Sequence, residues 1–243
     1  MKRISLILLL FLFAAIPVFS QKKSPLVVVE LFTSEGCSSC PAADELLKQM
    51  ADVRASEGKP LIALAFHITY WNHLGWVDPF SQEMFTDRQK MYAAAFKQRQ
   101  FYTPQAVMNG AHEFIGSDAK AFRDTLARVE KRKASFEIKA QARQQGDSIR
   151  VEYEVDSDSK NQIVNIALVE KNSERSVTRG ENKNRTLKHF NVVREFKTSD
   201  LKKQEILLTK IKDIPIDNFE VVVYVQHKKS MRIGGAVKIA ILE

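Results

Sequence analysis

One junction constrains this chain more than any other feature. Residues 25–32, PLVVVELF, form a continuous apolar run rich in valine, the pattern of a strand buried on both faces. Thr33-Ser34-Glu35-Gly36 then reads as a turn. From Ser38 to about Val53 the spacing becomes helical, with Ala43, Leu46, Leu47 and Met50 on one face and Asp44, Glu45 and Lys48 off it. Cys37-Ser38-Ser39-Cys40 falls where the strand has ended and the helix begins.

That placement gives the motif its chemistry. Unpaired backbone N–H groups and the helix dipole stabilise a thiolate at a helix N-terminus and lower the thiol pKa. Cys37 is therefore expected to be the exposed nucleophile, and Cys40, one turn in and more buried, the resolving thiol that releases a mixed disulfide. The same spacing occurs in zinc sites, but those bring a second cysteine pair or two closely spaced histidines, and neither is present. These are the only cysteines in the chain, and a bridge three residues long removes little unfolded-state entropy. Three readings stay open: redox exchange, a Cu(I) site formed by Cys37, Cys40 and His67, and a structural disulfide in a non-enzymatic binding module.

Leu61 to Phe66 is a second buried strand, and strand–helix–strand implies a right-handed parallel crossover. An aromatic segment follows from His67 to Phe80, in which Trp71 and Trp76 are candidate substrate contacts; a core role is the alternative. Asp78 or Ser81 caps a helix expected to run to about Gln98, with Met84, Phe85, Met91, Tyr92, Ala95 and Phe96 at core spacing. Thr103-Pro104, ahead of a strand from Gln105 to Met108, is a context for a cis bond, with Pro104 shaping a catalytic groove and Thr103 touching substrate. Asn109-Gly110 predicts a hairpin turn into His112–Ile115. Ser117 caps a last helix that buries Phe122, Leu126 and Val129 and closes on Lys131-Arg132-Lys133. The order β-α-β-α-β-β-α is that of an α/β thioredoxin-like domain. Glu30, inside the first strand, is the candidate proton-exchange partner of Cys40, because burial favours its protonated form; an edge position or a partner lysine is the alternative.

Beyond Ala134 the chain breaks into short alternating runs, among them SIRVEYEV and FEVVVYVQ. About seven strands are predicted, an all-β antiparallel sandwich-like domain, with Glu170 to Arg185 as a solvated hairpin or loop. The start, MKRISLILLLFLFAAIPVFS, has the basic residues, apolar run and small-residue end of a signal peptide. Its apolar run is shorter than the ~20 residues that cross a bilayer. The expected units are a leader at 1–20, the thioredoxin-like domain at 21–133 and the β-domain at 134–243, exported to the periplasm or beyond and without stable membrane insertion. Net charge is +8, or +6 without the leader, and no basic stripe or reading motif points to nucleic acid. No glycine-rich phosphate loop or nucleophile elbow calls for a cofactor. The expected partners are protein or peptide thiols and disulfides.

Four stretches, VVVELFTSEGCSSCPAADELL, ALAFHITYWNHLGWVDPFS, YTPQAVMNG and RGENKNRTLKHFNVVREF, together resemble the exported domain-of-unknown-function family 1223, within the thioredoxin-like superfamily. The resemblance covers nearly the whole chain after the leader. It implies a thioredoxin-like first half and supplies no substrate. Glu30 resembles the buried acid of thioredoxin's first core strand but stands one residue farther from the first cysteine. The family shows an aspartate two residues after His67, where this chain has Thr69, so no carboxylate is expected there to assist His67. Glu181, Asn182 and Arg185 read either as lining an interdomain or partner surface or as a self-capped loop.

Overall fold

The computed structural model describes residues 26–243, and the expected leader lies outside the described residues. The first half runs β1 (Val28–Thr33), α1 (Cys40–Ser56), β2 (Ile62–His67), α2 (Glu83–Ala95), β3 (Gln105–Met108), β4 (His112–Ile115) and α3 (Ala119–Val129). β1 pairs with β2 in parallel and with β3 antiparallel, and β3 turns back into β4. Asn109 and Gly110 both adopt positive φ at that turn, as a tight hairpin requires. The Asn109 side chain also pins the start of β1, accepting from Val28 N–H at 2.7 Å and donating to the Leu26 carbonyl at 2.8 Å.

The second half is all β: β5 (Ile138–Gln145), β6 (Ser148–Val155), β7 (Gln162–Val177), β8 (Arg185–Ser199), β9 (Glu205–Thr209), β10 (Phe219–His227) and β11 (Ile233–Leu242). The strands join one sheet in the order β4-β3-β1-β2-β8-β7-β10-β11-β5-β6-β9. Ala65 of β2 pairs in parallel with Val192 of β8, and this is where the halves fuse. Alternation decides the layers. Val29 and Leu31 face α1 and α3, whereas Val28 and Phe32 face α2. In β10, Val222 and Tyr224 share the α2 core, while Val221 and Val223 pack against β5, β6 and β9, which curl over to close a sandwich.

Helix boundaries depart from the sequence reading in two places. α2 begins after Gln82 without a side-chain cap, because Asp78 is committed elsewhere and Ser81 donates to its carbonyl. Asp118, not Ser117, caps α3, accepting from Lys120 and Ala121 N–H. On α2, Met84 and Met91 are exposed, and the buried face is instead Phe85, Arg88, Gln89 and Tyr92.

Arg88 and Tyr92 on that face share a partner. Glu30 points to the α2 side and is fully buried, where Arg88 donates to its Oε1 from Nη2 at 2.7 Å and Nε at 3.0 Å. Tyr224 donates to the same oxygen at 2.7 Å and Tyr92 donates to Oε2. The carboxylate is thus neither unpaired nor lysine-paired, and it lies on the face of β1 opposite α1. Arg88→Met would leave this charge buried alone and should cost about 3–5 kcal/mol, while adding Glu30→Gln should recover part of the loss; urea unfolding of both variants measures the difference.

Candidate functional site

Cys37 and Cys40 form a disulfide with Cα atoms 5.4 Å apart. Cys40 is the first residue of α1, with Pro41 beside it in the first turn, a position that needs no backbone donor. Cys37 N–H donates to the Ser34 carbonyl and Cys40 N–H to the Cys37 carbonyl, both at 3.2 Å. The motif is a wound turn leading into the helix.

Cys37 is not exposed: both cysteines have no accessible surface. The cover comes from the tip of the β7–β8 hairpin, in the stretch expected to be solvated. Asn182 is fully buried there, and its Nδ2 donates to the carbonyls of Glu35 and Cys37, both at 2.9 Å. Ser38 N–H donates to Glu181 Oε2 at 2.9 Å, and Arg185 Nη1 donates to Asn182 Oδ1 at 2.6 Å. Glu181, Asn182 and Arg185 therefore line the contact between the hairpin and the cysteine turn.

The aromatic segment closes the other side. Trp71 Nε1 donates to Thr103 Oγ1 at 2.7 Å, and a β-carbon on Gly36 would come within 3.0 Å of Trp71 Cβ. Trp76 Nε1 donates to Glu35 Oε2 at 2.8 Å. The Thr103–Pro104 bond is cis, and Pro104 and Ala43 of α1 both border Gly116. Trp71 and Trp76 thus meet the cysteine turn at Gly36 and Glu35, Thr103 is tied to it through Trp71, and Pro104 stands near Ala43 of α1 at Gly116. No hydrogen bond joins Glu30 to either cysteine.

A different set of acids and bases stands behind the disulfide. His67 Nδ1 lies 2.7 Å from Asp78 Oδ2, which also accepts from Glu35 N–H at 2.8 Å. A carboxylate does assist His67 after all, supplied by Asp78 from across the loop rather than by position 69. His189 Nε2 lies 3.0 Å from Glu35 Oε1, and Asp44, expected off the buried face, is buried one turn after Cys40. Burial raises the Asp44 pKa, with His189, His67 and Thr33 only partly opposing. Burial disfavours charge on His67, but Asp78, Asp44 and Glu35 outweigh it and its pKa rises. For Asp78 burial is overcome by the His67 charge and by hydrogen bonds, and its pKa falls.

Hydropathy missed these residues because it assigns charge to the surface. One signal was present: Leu187, His189 and Asn191 alternate inward along β8. Among the described residues no group of three or more His, Cys, Asp or Glu is arranged to hold a metal ion. Cys37 and Cys40 bond each other and His67 bonds Asp78, so nothing supports the Cu(I) reading.

The linkage of these groups has a sign. Asp44 and His67 hold their protons more firmly folded than unfolded, so their contributions are full at low pH and fade as pH rises above the ordinary values of 3.8 and 6.5. Asp78 acts oppositely, and its contribution is lost on acidification below 3.8. His67→Gln should flatten the decline in urea-unfolding stability above pH 6.5.

The model of the family described as "Protein of unknown function (DUF1223)" matches residues 28–226. A crystal structure of the protein AGR_C_4864 from Agrobacterium tumefaciens is similar at 26% identity and a TM-score of 0.64, covering 90% of this chain and 96% of that one. A domain of the outer membrane lipoprotein Omp28 from Porphyromonas gingivalis aligns with 45% of this chain and 89% of its own at 13% identity. The TM-score of that alignment is 0.25. No curated protein matches the sequence.

Proposed function

This chain belongs to the DUF1223 family, and we propose that it is an exported protein of thiol–disulfide exchange acting on protein or peptide thiols. The observation that carries the reading is the Cys37–Cys40 disulfide at the start of α1, where a helix N-terminus favours the thiolate that exchange requires. In the proposed roles Cys37 takes or makes the attack and Cys40 resolves, while Trp71, Thr103 and Pro104 shape the approach. The proposed roles leave Glu30 aside, because its oxygens accept from Arg88, Tyr92 and Tyr224. Export rests on the leader at residues 1–20, and the division at 133/134 is proposed as the boundary between the exchange domain and the β-domain. Among the described residues no helix is long and apolar enough to cross a membrane.

One observation favours a second reading. Both sulfurs are covered and Asn182 clamps the Cys37 carbonyl, as suits a structural disulfide in a binding module. The reduction potential separates the two. A value within roughly −270 to −120 mV, with exchange abolished in Cys37→Ser, is expected for the exchange protein; a value below about −300 mV would assign the disulfide a structural role. Asn182→Ala leaves two buried carbonyls short of a donor and should lower stability by about 1–3 kcal/mol while speeding reduction by dithiothreitol, read by mass after thiol trapping.

A further inference from the structure

Exchange leaves one requirement unassigned: a proton for Cys40 when its sulfur departs as thiolate. The buried cluster behind the disulfide is built to hold one. Its two imidazoles are each fixed by a carboxylate, His67 by Asp78 and His189 by Glu35. A carboxylate only accepts, so each ring carries its proton on the nitrogen facing it. Among the described residues the remaining nitrogens, His67 Nε2 and His189 Nδ1, are buried without a hydrogen-bond partner. The rings meet edge to face, with centroids 5.0 Å apart.

His189 Nδ1 is turned toward Asp44, 3.9 Å from its Oδ2. Asp44 in turn lies four residues after Cys40 on the same buried helix face, the spacing that brings side chains into contact. The groups facing Asp44 come from every element around it: Thr33 ending β1, His67 ending β2, Asp78 from the loop and His189 from β8. Arg175 of β7 stands behind, its Nε 3.7 Å from Glu35 Oε1.

We infer that Asp44 is the proton store of Cys40 and that His189, oriented by Glu35, is the positioning residue that sets its proton affinity. The inference rests on the exchange reading. A thiolate of an incoming dithiol attacks Cys37 Sγ; a bond forms between the two sulfurs as the Cys37–Cys40 bond breaks, and the electron pair departs on Cys40 Sγ. The Asp44 carboxylic acid gives its proton to that sulfur and is left as carboxylate beside His189 and His67. The second thiol of the dithiol loses its proton to water and displaces Cys37 as thiolate, so the dithiol ends oxidised and the cysteine pair reduced.

The test is the rate at which dithiothreitol reduces the full mature chain, from about pH 4 to about pH 9, in the wild type and in Asp44→Asn. The ratio of the two rates removes the ionisation of the reductant and any opening of the hairpin cover. At low pH the variant should be about a hundredfold slower, and the ratio should fall to one as Asp44 loses its proton. His189→Gln keeps a donor for Glu35 but removes the imidazole whose effect opposes the Asp44 proton, so the point of convergence should move to higher pH. A ratio of one throughout, with the variant folded by circular dichroism, overturns the inference while leaving exchange intact. If Asp44→Asn does not fold, an unchanged profile in His189→Gln overturns it instead. A wild type reduced only after denaturation would bring down the exchange reading itself, and this inference with it.

Discussion

The Glu30 carboxylate organises this molecule. It sits in β1, third from one end of the sheet, fully buried, and its donors come from both halves: Arg88 and Tyr92 from α2, Tyr224 from β10. A buried carboxylate is tolerable only when its lone pairs are satisfied and its charge is met. Burial and the nearby carboxylate keep Tyr92 well above the ordinary tyrosine pKa, and Tyr224 is raised chiefly by its burial, so both remain donors. Satisfying Glu30 therefore requires α2 and β10 to be docked on the same face together. The fusion of β2 with β8 follows the same demand, because it carries the β10 side of the sheet to within reach of β1.

That continuity also builds the cysteine site from distant sequence. Cys37, Glu35 and Asp44 come from the first strand–helix junction, His67 from the end of β2, and His189 and Asn182 from the β7–β8 hairpin. A helix N-terminus lowers the pKa of a cysteine thiol; here the hairpin is bonded over the turn that carries it. The polar cluster is satisfied on one side of each histidine and open on the other. Such partial satisfaction is expensive in a low-dielectric interior, and a site that handles protons is where such an expense has a use.

The sequence displayed the backbone plan because periodicity reports it directly. The valine-rich run, the helical spacing after Cys40 and Asn109-Gly110 each mark their element without reference to the rest of the chain. The seven later strands were legible for the same reason. Partnerships were not. Arg88 and Asp44 look like solvent-facing helix residues until their partners are known, since hydropathy takes isolated charges to water. Arg88 and Glu30 lie 58 residues apart in sequence, and His189 and Glu35 of the same buried cluster as Asp44 lie 154 apart. Glu30 showed a charge in a buried strand but not which cation would answer it. Asn182 sat in a charged stretch and gave no sign that its amide would serve two carbonyls of the cysteine turn.

The bond between Ser38 and Glu181 spans 143 residues, and this distance orders events in time. During synthesis from N-terminus to C-terminus the cysteine turn is made long before the hairpin that covers it. The two sulfurs are only three residues apart, so their pairing is set by local sequence, whereas their cover waits for the last third of the chain.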